Sequence, residues 1–196
     1  MPASRWWISL RFLAVAVLLI PTALSLEVDS LADAVPRTAD GFSLVPESQK
    51  VCFEENLTEI YDGGYYTYIE MGVVVAVYAL YTDGSNYFSA TLHMVNTPAN
   101  VSRLLEHFRS IGSSSGQIED LGLGDAGFRY DIAGSSYLCF SKDELLVSME
   151  GSGGAVKAAM EDCAEKILHR VSESRLVLVL LVFGATAGSL RRRLPK

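Results

Sequence analysis

Residues 72–95 limit the possible folds more than any other stretch. Positions 72–82 are apolar and rich in β-branched residues, Asp83-Gly84 is a turn pair, and 85–95 alternate between two faces. A period of two sends successive side chains to opposite sides of a sheet, and Asp-Gly favours a tight turn between antiparallel strands. The pattern predicts a hairpin. With a two-residue turn at Asp83-Gly84, Ala79 opposes Phe88, Val77 opposes Ala90, Val75 opposes Leu92 and Val73 opposes Met94, which makes one face wholly apolar. The other face carries Val74, Ala76, Tyr78 and Leu80 beside His93, Thr91, Ser89 and Tyr87.

A helix follows directly. Thr97 reads as an N-cap with Pro98 at the first helical position, and Val101, Leu104, Leu105, Phe108 and Ile111 share one stripe. This helix is expected to cover the apolar face of the hairpin. Residues 112–116, two glycines around three serines, read as a flexible break. Beyond it the order strand, strand, helix returns. Phe128, Tyr130 and Ile132 alternate, as do Leu138 and Phe140, then Leu145, Val147 and Met149. A two-residue turn at Ala133-Gly134 would put the first set on the opposite face from the others; a three-residue loop over 133–135 aligns all three sets and is the expectation. The last helix is predicted from about Gly154 to Val171, with Val156, Met160, Cys163, Ile167 and Val171 inward. The expected fold is α+β, a two-layer sandwich with two helices on one face of an antiparallel sheet of five or six strands.

Both ends of the chain read as targeting segments. Arg5 and Arg11 accompany an apolar run over 12–20, Pro21 breaks it, and Ala23-Leu24-Ser25 is a small-x-small cleavage pattern, so residues 1–25 are expected to be a signal peptide. The alternative is an uncleaved N-terminal anchor starting at Trp6. At the other end no residue of 176–190 is charged, and Arg191, Arg192, Arg193 and Lys196 follow. A basic cluster after an apolar run stays on the cytoplasmic side, so residues 175–191 are expected to be a single-pass transmembrane anchor with a cytoplasmic tail at 192–196. At about 1.5 Å per residue the run reaches roughly 22 Å against a hydrocarbon core of ~30 Å. Snorkelling by Arg175 and Arg191 makes up part of the difference. The competing readings are a helix buried in the protein's own core and a sorting tail replaced by a lipid. Between the ends, residues 26–50 carry Pro36, Gly41 and Pro46 and read as an irregular entry segment, leaving 51–174 as one extracytoplasmic domain.

All 23 Asp and Glu lie between positions 27 and 173, with only nine of the 16 Lys and Arg, so the ectodomain carries a net −14 against −7 for the whole chain. Such a surface cannot neutralise phosphates, which argues against a nucleic-acid partner. No carboxylate-dense loop appears, so the acidity reads as solubility rather than specific cation capture. Three cysteines, Cys52, Cys139 and Cys163, permit one disulfide and one free thiol outside the cytoplasm, and a Cys139–Cys163 bond is disfavoured because the two point to opposite sides of the sheet.

Gly122-Leu123-Gly124-Asp125-Ala126-Gly127 matches the dinucleotide fingerprint but is followed by a strand rather than a helix, and Asp120 and Asp125 would repel a pyrophosphate, so it reads as a glycine turn. In this turn before a strand, and in the strand, Gly-rich turn and helix of 144–171, the chain resembles small envelope-anchored α+β domains of prokaryotes. That resemblance implies a membrane-held domain outside the cytoplasm and carries over no catalytic residue.

Gly112-Ser113-Ser114-Ser115-Gly116 matches a nucleophile elbow, with Asp125 or Asp131 and His169 following in hydrolase order, but it comes after a helix instead of a strand. His93, His107 and His169 lack metal-ligand spacing, and no cofactor or metal is expected. Asn56-Leu57-Thr58 and Asn100-Val101-Ser102 are possible glycosylation sites at Asn56 and Asn100. Seven of nine tyrosines fall between positions 61 and 87, and the second hairpin face is too apolar to stand bare unless residues 27–70 cover it. Val74, Tyr78, Leu80, Tyr87 and His93 are therefore the expected binding residues, in a non-enzymatic module that engages another envelope protein or itself. A ligand-binding or sensor domain with a pocket between sheet and helices is the second expectation, and a hydrolase using Ser114 and His169 the third.

Overall fold

The structure, a computed structural model, describes residues 31–61, 63–114 and 117–191, with side chains as far as 173. In chain order the elements are β1 (Thr38–Ala39), β2 (Phe42–Leu44), β3 (Lys50–Phe53), a 3-10 segment (Glu54–Glu59), α1 (Tyr65–Glu70), β4 (Val73–Thr82), β5 (Tyr87–Val95), α2 (Pro98–Ser113), β6 (Glu119–Leu121), β7 (Ala126–Ile132), β8 (Ser135–Lys142), β9 (Leu145–Ser152) and α3 (Val156–Arg191). The strands form one antiparallel sheet in the order β1-β2-β4-β5-β9-β8-β7-β6, with β3 also on the outer edge of β4. It has nine strands rather than five or six because short edge strands add to the five long ones. The strands at both edges are short, which blunts the edges of the sheet.

The turns decide which side chains share a face. The β4–β5 hairpin forms, but through four residues, 83–86, and not the two-residue Asp83-Gly84 turn, so that Thr82 opposes Tyr87. The Asp83 carboxylate accepts the N–H groups of Ser85 and Asn86 at 2.8 and 2.7 Å and the Asn86 amide at 3.0 Å, a local bonding pattern that stabilises the longer loop. The register therefore slides by two residues, which changes partners without changing faces: Tyr81 opposes Phe88, with stacked rings 4.6 Å apart, and Ala79 opposes Ala90. A bulge between Val73 and Val75 does change faces at the strand's start. Val73 joins the second face and Val74 packs with the first.

In the other half the three-residue loop is replaced by a two-residue turn at Ala133-Gly134, with φ of +51° and +90° and Ile132 opposite Ser135. Both central residues have the positive φ of a type I′ turn. The difference of one residue moves Phe128 and Tyr130 to the face opposite Leu138 and Phe140.

Both faces of the sheet consequently need a cover, and the two helices take one each. On the first face α3 buries Val156, Ala159, Met160, Cys163, Ala164 and Ile167 against Val75, Val77, Phe88, Leu92, Phe140 and Val147. On the second, α2 buries Val101, Leu104 and Leu105 against Ala76, Phe128, Cys139 and Leu146. The arrangement is α+β in three layers, not two helices on one side of a two-layer sandwich. The cap of α2 is as expected, with Thr97 Oγ1 accepting the Asn100 N–H at 3.2 Å. Its C-terminal end differs: Ile111 is exposed, and the inward place goes to Gly112, where a Cβ would meet the Tyr130 ring at 2.7 Å.

Residues 31–50 are part of the fold and not an irregular entry. Ala39 and Phe42 flank the β1–β2 turn and are buried, as are Leu31, Ala34 and Val35. The segment runs beside α3, where Asp162 accepts the Asp40 N–H at 2.8 Å, Lys166 donates to Thr38 O at 3.1 Å and Arg170 donates to Val35 O at 2.9 Å. The three cysteines are free and buried in separate places, Cys52 and Cys139 on the second face and Cys163 on the first. Burial pushes the Cys163 thiol up to about 12.

The expected signal peptide and cytoplasmic tail lie outside the described residues. Helix α3 continues without interruption to Arg191, its side chains beyond 173 not being described. Among the described residues no helix is long and apolar enough to cross a membrane.

Candidate binding face

The second face of the sheet is covered over one part and open over another. In the covered part, the 3-10 segment, α1 and α2 close over Ala76, His93 and Leu146. His93 is fully buried. Its Nδ1 lies 3.2 Å from the Leu146 carbonyl, which can only accept, so Nδ1 carries the proton and Nε2 accepts from the Tyr61 hydroxyl. Tyr68 stacks on the Tyr61 ring at 3.9 Å and lies parallel to the His93 ring at 5.7 Å. Burial pulls the His93 pKa down to about 4, so the imidazole is neutral near pH 7 and fully bonded. Tyr61 and His93 thus serve the core.

The open part begins where α2 and the Tyr61–Tyr68 cover end. Register places its residues in three rows. Tyr78, Thr91 and Ser148 form the first; Leu80, Ser89, Glu150 and Tyr137 the second; Thr82, Tyr87, Ser152, Ser135 and Ile132 the third. Thr91 lies buried beneath the patch; Tyr78, Leu80, Ser89 and Tyr137 are half-buried, while Tyr87 is 52% exposed and Glu150 is exposed. The surface is thus tyrosine and hydroxyl, with one carboxylate near its middle. Tyr137 donates to Glu150 Oε1 at 2.7 Å and stacks on Tyr130 at 4.9 Å. Tyr78 shares a side-chain hydrogen bond with Ser89. Loss of water and the adjacent Glu150 push the Tyr137 phenol up to about 12, so it remains a donor. Such a surface can bind by stacking and hydrogen bonds.

Of the five residues expected in the binding set, Tyr78, Leu80 and Tyr87 lie together on this open part. Val74 leaves it through the bulge, and His93 lies beneath the aromatic cover. Tyr137 and Glu150 were missed as members. Their alternation already turns them away from Leu138 and Met149, but nothing local says that β9 lies beside β5.

The other motifs resolve into structure. Gly124 has φ +61°, and a Cβ there would meet Ser141 O at 2.1 Å; Asp125 accepts from Lys142 Nζ at 2.8 Å and the Asp143 N–H at 2.7 Å. The fingerprint glycines thus let the β6–β7 turn close on β8. Ser114 follows α2 and His169 lies on α3, on opposite faces of the sheet, so they cannot form a catalytic pair. Asn56 Nδ2 donates to Glu59 at 3.2 Å and Asn100 Nδ2 to Asn96 at 2.8 Å. Among the described residues no group of three His, Cys, Asp or Glu is placed to hold a metal ion. A groove of about 560 Å³, lined in part by Asp33, Arg37, Lys166 and Arg170, lies between residues 32–49 and α3.

No protein-family model matches this chain, and no curated protein matches it.

Proposed function

We propose that the chain is a membrane-anchored extracytoplasmic interaction module whose open sheet face binds another envelope protein. One observation carries this reading. The same sheet face is sealed by α2, α1 and the 3-10 segment over one part and left as tyrosine and hydroxyl rows over the other. Tyrosine and serine together supply rigid contact area and adaptable hydrogen bonds, the combination used by binding surfaces. The anchor rests on the uncharged run at 176–190, which continues the helix that packs on the sheet. A combined Tyr78→Ala, Tyr87→Ala variant should keep the thermal midpoint within a few degrees and lose its crosslinked partner in native membranes. Unchanged association would overturn the reading.

The small-ligand alternative is favoured by one different observation, the groove beside α3 with Arg37, Lys166 and Arg170 in its wall. Its occupant would be a small anion. Two of the three cations already hold the 33–38 backbone and Lys166 pairs Asp162 at 2.7 Å, so it ranks second. A rise in thermal midpoint with millimolar inorganic phosphate, absent in Arg37→Ala, is the result that would promote it.

A further inference from the structure

We infer that the open face receives a cationic side chain, a lysine or arginine carried on a narrow segment of the partner, over Glu150 and among Tyr78, Tyr87 and Tyr137. This rests on the proposed interaction module and names the chemistry of its partner.

Charge comes first. Among the described residues of the three open rows, Glu150 is the one ionised side chain. Outside these rows, on β3 opposite Tyr78, Lys50 donates to the Glu59 carbonyl at 3.4 Å. Tyr137 fixes one oxygen of Glu150, and its own ring is held by Tyr130. The carboxylate is therefore positioned and remains exposed. Aromatic faces beside a carboxylate suit an ammonium or guanidinium group. At longer range the ectodomain's net −14 attracts cations and repels anionic partners.

Size and symmetry narrow the occupant. Five strands about 4.8 Å apart and three rows about 6.8 Å apart give a patch of roughly 19 by 14 Å. That is well below the ~800 Å² that each partner of a standard interface covers. A protruding loop or extended peptide fits; a broad globular surface does not. A second copy is disfavoured as well, because two-fold pairing centred on this row sets Glu150 against Glu150.

The test uses full-chain protein in lipid nanodiscs, titrated at low salt with a capped Gly-Arg-Gly peptide and its Gly-Gln-Gly counterpart and followed by amide NMR shifts. The arginine peptide should shift residues 87–91 and 148–152 and the glutamine peptide should not. Glu150→Gln should weaken binding about fivefold, the size of an exposed charge contact, while Glu54→Gln with Glu55→Gln leaves it unchanged. Equal losses in the two variants, or no shift on these strands, would overturn the inference. If Tyr78→Ala, Tyr87→Ala loses its membrane partner while Glu150→Gln retains it, cation capture falls and the interaction module stands. Loss in neither variant removes both.

Discussion

At the scale of single residues, the buried Tyr61–His93 pair is the clearest source of pH dependence. The folded-state pKa of His93 is near 4 against an ordinary 6.5, so unfolding takes up a proton between these values. The stability held by neutral His93 is complete above pH 6.5 and lost as pH falls toward 4, a difference of about 3 kcal/mol. Urea unfolding at pH 7 and pH 4 should show a His93→Gln variant losing less stability than the parent by about that amount; equal losses would mean that His93 is not desolvated. Gly124 and Gly122 form a second contrast. Gly124→Ala adds a Cβ 2.1 Å from Ser141 O at positive φ and should cost at least about 2 kcal/mol, whereas a Cβ at Gly122 meets nothing within 4 Å and Gly122→Ala should stay within about 0.5 kcal/mol. Thermal unfolding of the two variants reads the difference. If both were neutral, the fingerprint would need an explanation other than packing.

At the scale of elements, two turns govern the architecture. Alternation showed which residues of each strand share a face, but the relation between strands depends on loop length, and a single residue reverses it. The Asp83-Gly84 pair signalled a hairpin, and the Asp83 side-chain bonds that lengthen the loop are invisible in a turn dipeptide. At Ala133-Gly134 the reading that aligned three apolar sets on one face looked more economical. It puts both helices on one face of the sheet, whereas α2 packs on the other, against Phe128 and Tyr130. The open rows were legible in the same partial way: Tyr78, Leu80 and Tyr87 follow from one hairpin, whereas Tyr137 and Glu150 join them through the non-local β5–β9 pairing. Ala133 pays for its left-handed conformation, so Ala133→Asn should stabilise the protein by about 1 kcal/mol, and denaturant midpoints will show it. A destabilised variant would contradict the two-residue turn.

At the scale of the whole molecule, α3 is one helix of 36 residues, about 54 Å long. Its first half seals one face of the sheet and holds the 33–40 segment; its second half contains the uncharged run. With no break between them, an anchored domain would stand at a fixed height above the bilayer. A chain ending at 174 should unfold at the same temperature as the full chain and appear in the soluble fraction after carbonate extraction, while the full chain stays with the membrane. Release of both would remove the anchor from the account. On the proposed function, the partner meets the tyrosine and hydroxyl rows. The most direct measurement places a photoreactive phenylalanine analogue at Tyr87, on the open face, and separately at Tyr66, 65% exposed and outside those rows, in the full chain in native membranes. A partner adduct is expected from position 87 and none from position 66; equal adducts from both, or none from 87, would rule out this binding face.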